Sequence, residues 1–85
     1  MHHKAKDLTR KVFELIQEDW PSHPSGICRR LEIPLTVKNI ARIKYHFDIL
    51  SKQGKIHTKK IDRALVAWPS EIEKIRVMHE FLKDI

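Results

Sequence analysis

The fold is decided by residues 36–68, which read TVKNIARIKYHFDILSKQGKIHTKKIDRALVAW. The first part predicts an amphipathic α-helix, because apolar residues recur at intervals of three, four and three positions. Thr36 is a favoured N-cap and Gly54 a favoured residue after a helix, so the helix is predicted to run to Gln53. The apolar stripe consists of Ile40, Ile43, Phe47 and Leu50.

The face of this helix opposite the apolar stripe is basic and includes an aromatic residue. Successive helical residues project about 100° apart, which assigns the members of each face. A helix that presents such a face to solvent is suited to contact a polyanion. The face contains Lys38, Arg42, Tyr45, Ile49 and Lys52, with Ala41 and His46 at its borders.

After the glycine, the pattern changes from helical to β type. Residues 55–60 and 64–68 form two short runs around a polar turn, which predicts a β-hairpin. Lys59, Lys60 and Arg63 are predicted to lie at its tip.

A first helix is predicted over residues 7–19, with Asp7 as its N-cap and Pro21 just beyond its end. Apolar residues recur there at helical spacing, and charged residues occupy the other face. Trp20 follows this helix beside a proline, and Trp68 ends the hairpin in the same way. Both tryptophans are predicted to anchor the core.

A short second helix is predicted over residues 26–31, capped by Ser25 and ended by Pro34. Cys28 lies on its apolar edge and is predicted to be a small buried residue rather than a reactive thiol. Since it is the one cysteine of the chain, it can form neither an internal disulfide nor a zinc cluster of paired cysteines.

Ser70 and Glu73 form a capping box that predicts a last helix over residues 71–83. Its apolar residues cover more than one core stripe, so we expect one side to pack on the domain and the remainder to pair with a second copy. The alternative is a monomer in which this is a broad core helix. The predicted dimer interface consists of Ile72, Ile75, Met78, Phe81, Leu82 and Ile85.

The chain carries a formal net charge of +6, and its distribution along the sequence is uneven. Residues 20–68 contain ten Lys or Arg against three Asp or Glu, whereas residues 1–19 are neutral and residues 69–85 carry one excess negative charge. Concentrated positive charge on a small fold favours a nucleic-acid partner, although a soluble surface is an alternative explanation.

Length and composition exclude several classes of protein. The 85 residues predict a single domain over residues 1–85, and the longest apolar run, residues 64–68, is too short for a membrane span. We therefore expect a soluble cytoplasmic protein that contacts no membrane. Two glycines cannot build a phosphate-binding loop, and neither a nucleophile elbow nor a carboxylate pair is present. The prediction is a protein that is not an enzyme and has no cofactor.

The six histidines suggest a metal site as an alternative. His2 and His3 lie at the terminus, and the spacing of His23, His46, His57 and Cys28 is not the paired spacing of a zinc site. The prediction is therefore that the chain binds no metal, with a metal sensor as the less favoured alternative.

Two stretches carry a resemblance to a known family. Residues 25–33, SGICRRLEI, resemble the first helix and turn of a winged helix-turn-helix motif, and residues 45–56, YHFDILSKQGKI, resemble the end of its recognition helix running into the wing. Over about residues 5–68, the chain is similar to small bacterial and archaeal transcriptional regulators of the arsenic-repressor and multiple-antibiotic-resistance types. The resemblance implies a mainly α fold with a small β-hairpin wing (α+β), in the order α-α-α-β-β-α, followed by a C-terminal helix over residues 70–85.

The resemblance also implies a transcriptional regulator that binds double-stranded DNA as a homodimer. The long helix would enter the major groove, and the wing would contact the adjacent backbone. The residues assigned to this interface are Lys38, Arg42, Tyr45 and His46 on the long helix, Arg29 and Arg30 on the second helix, and Lys59, Lys60 and Arg63 on the wing.

The chain departs from the family pattern at two places. Glu32 stands at a turn position where these motifs often have glycine. Residues 34–43 are roughly five residues longer than the usual turn and helix start, which predicts an extended loop or an extended third helix.

Two other functions use the same fold. A winged helix can be a protein-interaction module of a multiprotein assembly that does not read DNA. RNA binding is a third possibility, although Tyr45 is the one aromatic residue predicted to be exposed for stacking on a base.

Overall fold

The computed structural model describes the backbone of residues 3–72 and the side chains of residues 7–72. This part of the chain is mainly helical and ends in a two-stranded antiparallel hairpin, so the α+β class is confirmed. Residues 70–72 are helical again, and the rest of the predicted last helix lies outside the described residues. The elements are α1 (His3–Glu18), α2 (Pro24–Arg30), α3 (Val37–Lys52), β1 (Ile56–Ile61) and β2 (Ala64–Pro69).

Helix α1 begins earlier than predicted. It starts at His3, so Asp7 lies inside the helix and the prediction that Asp7 is its N-cap is wrong. The physical reason is that the four residues before Asp7 contain no glycine or proline to stop the helix. The carboxylate of Asp7 instead lies 3.5 Å from the Arg10 guanidinium, one turn along the same exposed face.

Helix α2 begins at Pro24, with His23 as the N-cap residue, so the prediction of Ser25 as the cap is wrong. A proline suits the first turn because the N–H it lacks would have no helical partner there. Its C-terminus is closed by two hydrogen bonds, from Glu32 N to Arg29 O (3.1 Å) and from Ile33 N to Cys28 O (3.0 Å). This pattern is a Schellman motif, and Glu32 occupies its left-handed position with φ 59°.

Helix α3 follows the prediction closely. The Thr36 side chain accepts a hydrogen bond from Asn39 N at 3.1 Å, which confirms Thr36 as the N-cap. At the other end, Gly54 has φ 74° and donates to Ser51 O at 3.0 Å. Lys55 N donates to Leu50 O at 3.0 Å, so α3 ends in the same motif as α2. Six residues connect α2 to α3.

The hairpin is held both internally and against the helices. Its register pairs Ile56 with Pro69 and Ile61 with Ala64, leaving a two-residue turn in which Asp62 has φ 55°. On its other edge, β2 forms a β-bridge with Ser22 in the α1–α2 connector, through two backbone hydrogen bonds of 2.8 Å to Ala67. The hairpin is therefore fixed to the helical unit and does not project as an isolated ribbon.

The core lies between the three helices and the inner face of the hairpin. Cys28 is fully buried, as predicted. Trp20 is 45% exposed, so the prediction that it anchors the core is wrong. In the same connector, Ser22 is buried and pairs with β2. Trp68 is half-buried, with its ring centroid 6.1 Å from that of His57. The core contains Val12, Leu15, Ile16, Ile27, Cys28, Ile43, Phe47, Leu50, Ile56 and Ala67, and Ile40 packs against it partly buried.

Within residues 3–72, no helix has both the length and the apolar character needed to cross a membrane.

Candidate nucleic-acid interface

The outer surface of α3 presents the basic face that its periodicity predicts. Burial of the stripe centred on Ile43 and Phe47 sets the rotation of the helix, so the residues opposite that stripe face solvent. Lys38 and Arg42 are exposed, and Tyr45 is 63% exposed. Asp48 and Lys52, further along the helix, form an ion pair at 3.0 Å.

Cations border this surface on both sides of the helix. Arg42 lies on the side towards α1, because it is four residues before His46 on the same helix and His46 contacts α1. Lys44 lies on the opposite side, towards the hairpin. Tyr45 occupies the middle of the surface, with its ring edge-on to His46 at 5.7 Å between centroids. The positive charge therefore extends across the exposed half of α3.

A cleft of about 640 Å³ separates α3 from the tip of the hairpin and the start of α2. Lys44 and Arg63 line it from opposite walls, and Asp62 is the one carboxylate that residues 7–72 contribute to its lining. Lys44 is not among the interface residues that the sequence predicts, so this position was missed. The sequence feature that could have placed Lys44 here is its position one helical turn after Ile40, which also lines the cleft.

The three hairpin cations are all exposed, but they do not point in one direction. Lys60 pairs with Leu65 and Lys59 pairs with Val66 in the hairpin register. Since successive strand residues project to opposite faces, the two lysines extend from opposite faces of the hairpin. Arg63 lies in the turn itself. Among residues 7–72, no acidic side chain forms an ion pair with any of the three.

The neighbouring arginines of α2 have different surroundings. Arg30 donates from Nη1 to the carbonyl oxygen of Leu15 at 2.7 Å and from Nη2 to Glu18 Oε2 at 2.8 Å. It therefore ties the end of α2 to the end of α1, and the assignment of Arg30 as a phosphate contact is replaced by this structural role. Arg29 is exposed and remains a candidate.

His46 lies in the interior and not at the border of the exposed face. Its side chain is 4% exposed, and its Nδ1 lies 2.7 Å from Thr9 Oγ1 of α1. Burial, and secondarily the charge of Arg42, lower the pKa of His46 from its ordinary value. We therefore do not include His46 among the proposed DNA contacts, since its ring is buried and its Nδ1 faces α1.

The described residues contain no group of three or more His, Cys, Asp or Glu side chains placed to hold a metal ion. Burial raises the pKa of the Cys28 thiol, which keeps it in the protonated form. A protonated, enclosed thiol is a poor nucleophile and a poor metal ligand. Its observed role is packing between α2 and the core.

The predicted dimer interface falls almost entirely beyond residue 72. Ile72 is described and is half-buried. The other five residues, Ile75, Met78, Phe81, Leu82 and Ile85, lie outside the described residues, so pairing through this segment stays a prediction.

No family model, curated protein or solved structure matches this chain. The resemblance to winged helix-turn-helix regulators therefore rests on the residues of the chain itself.

Proposed function

We propose that this chain is a winged helix-turn-helix protein that binds double-stranded DNA and regulates transcription. In this proposal, α3 enters the major groove and the hairpin contacts the adjacent backbone. The observation that carries the proposal is the exposed positive charge on α3 and on both walls of the cleft between α3 and the hairpin turn. Lys44 and Arg63 line that cleft together, and Arg42 extends the charge towards α1.

The disposition of the acidic residues supports the same surface. Asp48 on α3 is neutralised by Lys52, and Glu18 is paired with Arg30 on the far side of α2. No acidic side chain within residues 7–72 forms an ion pair with the other cations of this surface, so their charge is available to a ligand. These cations are Lys38, Arg42 and Lys44 on α3 and Lys59, Lys60 and Arg63 on the hairpin. A surface of unpaired cations attracts phosphates and releases counterions when it binds them.

The dimensions of α3 suit the major groove. Its 16 residues form a rod about 24 Å long, and B-DNA has a major groove about 12 Å wide that admits one helix. Lys38 and Arg42 are long enough to reach guanine O6 and N7 or flanking phosphates, and the Tyr45 hydroxyl can bond a phosphate or a base edge. These three residues are the proposed reading surface. Arg29, Lys59, Lys60 and Arg63 are the proposed backbone contacts.

A homodimer is part of the proposal. Two copies joined through residues 70–85 would present two α3 helices about 34 Å apart, one turn of DNA, to a palindromic site. Light scattering after gel filtration measures the mass directly. Leu82→Glu should convert a dimer to a monomer, and a wild-type mass equal to one chain would refute this part of the proposal.

The central experiment is a titration of labelled duplex DNA at several salt concentrations. If the four proposed backbone cations and Lys44 each contact a phosphate, log K should fall with log salt with a slope of about −4.5 per chain. Arg42→Glu should weaken binding by about 1–3 kcal/mol, because it removes a close contact and adds repulsion. Lys11→Glu is the matched control. It makes the same change in net charge at an exposed position of α1 that does not line the cleft beside α3.

Three outcomes separate the possibilities. Equal losses for the Arg42 and Lys11 variants would mean that only net charge matters. Affinity that does not respond to salt would refute DNA binding through this surface. Tighter binding to single-stranded RNA than to duplex DNA would favour RNA, for which both Tyr45 and the exposed Trp20 offer stacking surfaces.

The alternative, a protein-interaction module, is favoured by one observation. Leu35, Val37 and Ile61 are 47%, 88% and 53% exposed, so large apolar side chains surround the basic surface. Val37→Asp should disrupt a protein partner while affecting DNA affinity no more than Lys11→Glu does. A stable protein partner lost with Val37→Asp, together with DNA affinity equal to that of an unrelated basic protein, would support this alternative.

A further inference from the structure

One titratable side chain, the imidazole of His46, is buried at a contact between helices. It lies on α3, and its Nδ1 is 2.7 Å from Thr9 Oγ1 on α1, although the two residues are 37 positions apart in the sequence. His46 is 4% exposed, so most of the ring is excluded from water. The contact therefore joins the first and third helices directly.

The charged groups around this imidazole are cations. His46 lines a groove of about 400 Å³ between α1 and α3, to which α1 contributes Arg10 and the segment after α3 contributes Lys55. On α3 itself, Arg42 acts on the ring through its charge, and Tyr45 lies edge-on to it. Among residues 7–72, no carboxylate lines the groove; the nearby Asp7 is exposed and pairs with Arg10 at 3.5 Å.

We propose that the Thr9–His46 contact is acid-sensitive, and that protonation of His46 loosens the packing of α1 against α3. The Thr9 hydroxyl can bond the ring in either protonation state, since a hydroxyl both donates and accepts. The hydrogen bond is therefore not what responds to acid. The response comes from placing a positive charge in a buried site whose charged neighbours are also positive.

The groove supplies the path for this change. Because His46 forms part of its wall, protons reach the ring without global unfolding. An imidazolium lowers its free energy by moving towards the groove and water, which displaces Tyr45 and separates Thr9 from α3. Displacement of Tyr45 would also alter the proposed reading surface, and that consequence alone rests on the proposed function.

The sign of the pH dependence follows from the direction of the pKa. Burial first and Arg42 second hold the pKa of folded His46 below its ordinary value of 6.5, which the unfolded chain retains. The unfolded chain therefore takes up a proton that the folded protein resists. The contribution of the neutral His46 ring to the stability of the fold is therefore fully present above pH 6.5. It is lost as the pH falls from 6.5 towards the pKa of the folded state.

The first test is an NMR titration of the imidazole groups and backbone amides between pH 8 and pH 5, without DNA. The His46 midpoint should lie below its ordinary value of 6.5, and amide shifts of Thr9 and Phe13 should follow the His46 curve. A His46 midpoint at or above 6.5 would overturn the proposal. So would a His46 titration that leaves the α1 amides unchanged, because it would show a buried histidine without effect on the helix contact.

Variants provide the second test. His46→Gln should remove the part of the fall in Tm between pH 7 and pH 5 that is due to this group, whereas His23→Gln should leave the fall unchanged. Arg42→Gln should raise the His46 midpoint towards 6.5 and move the α1 amide changes with it. If His46→Gln does not fold, the Arg42 variant still decides, since an unmoved midpoint would remove the electrostatic basis of the proposal. All these measurements are made on the free protein, so they do not depend on whether it binds DNA.

Discussion

Replacing Arg30 by methionine should destabilise the protein, whereas the same change at Arg29 should leave its stability almost unchanged. The two arginines are neighbours on α2 and identical in chemistry, but only Arg30 has hydrogen-bond partners, Leu15 O and Glu18 Oε2, in the described part of the chain. Methionine keeps most of the aliphatic stem, so each change isolates the guanidinium group.

The magnitude follows from the two contacts of Arg30. A hydrogen bond to a charged donor contributes about 1.5–3 kcal/mol, and the lower end applies because Leu15 O also accepts from Asp19 N at 3.2 Å and is not left unpaired. The Glu18 side chain is 62% exposed, so the ion pair adds about 0.5 kcal/mol. The expected loss is therefore about 2 kcal/mol, or roughly 10 °C in Tm for a domain of this size.

Urea and thermal denaturation followed by circular dichroism measure both variants. Glu18→Gln should lose no more than about 0.5 kcal/mol, which separates the carbonyl contact from the ion pair. Equal stability of Arg30→Met and Arg29→Met would refute the reasoning, because it would show that the link between α2 and α1 contributes nothing. Under the proposed function, Arg29→Met should weaken DNA binding without lowering Tm.

Three further predictions test other positions. Glu32→Gly should raise stability by about 0.5–1 kcal/mol in urea denaturation, since glycine relieves the left-handed strain, whereas Gly54→Ala should lower it by about 1 kcal/mol for the converse reason. Ellman's reagent should label Cys28 slowly in the native protein and at once in urea, because burial both encloses the thiol and raises its pKa; fast native labelling would contradict the packing. Lys44→Glu should weaken DNA binding more than Lys11→Glu and reduce the salt slope by about 1, and equal effects would exclude the cleft from the interface.

Local patterns predicted the elements whose boundaries depend on local hydrogen bonds. Thr36 caps α3 and Gly54 follows its end as expected, because both interactions involve residues within five positions of each other. The glycine preference at the position of Glu32 has the same local origin, since that position is left-handed. The prediction of Asp7 as an N-cap is wrong because an N-cap lies where the helix begins. The residues just before Asp7 include no glycine or proline that would prevent the helix from starting earlier.

For the candidate surface, the sequence predicted the exposed residues at the centre of the face but not the surroundings of the residues at its edges. Lys38, Arg42 and Tyr45 are exposed, because one buried stripe sets the rotation of a helix. His46 and Lys44 lie at the flanks of that stripe, where periodicity alone does not decide between burial and exposure. Their environments depend on which element packs beside each flank: α1 encloses His46, and the hairpin turn opens a cleft at Lys44.

The sequence by itself determined the class of fold, the order of the elements, the buried stripe of α3 and the concentration of positive charge between residues 20 and 68. These features depend on spacing within one element or on simple counting. Only the tertiary structure decided the partners across elements: Arg30 with α1, His46 with Thr9, and Ser22 with β2. The physical reason is that a side chain can bond whatever lies within about 3 Å of it. Which group lies there is set by the packing of helices and strands that are far apart in the chain.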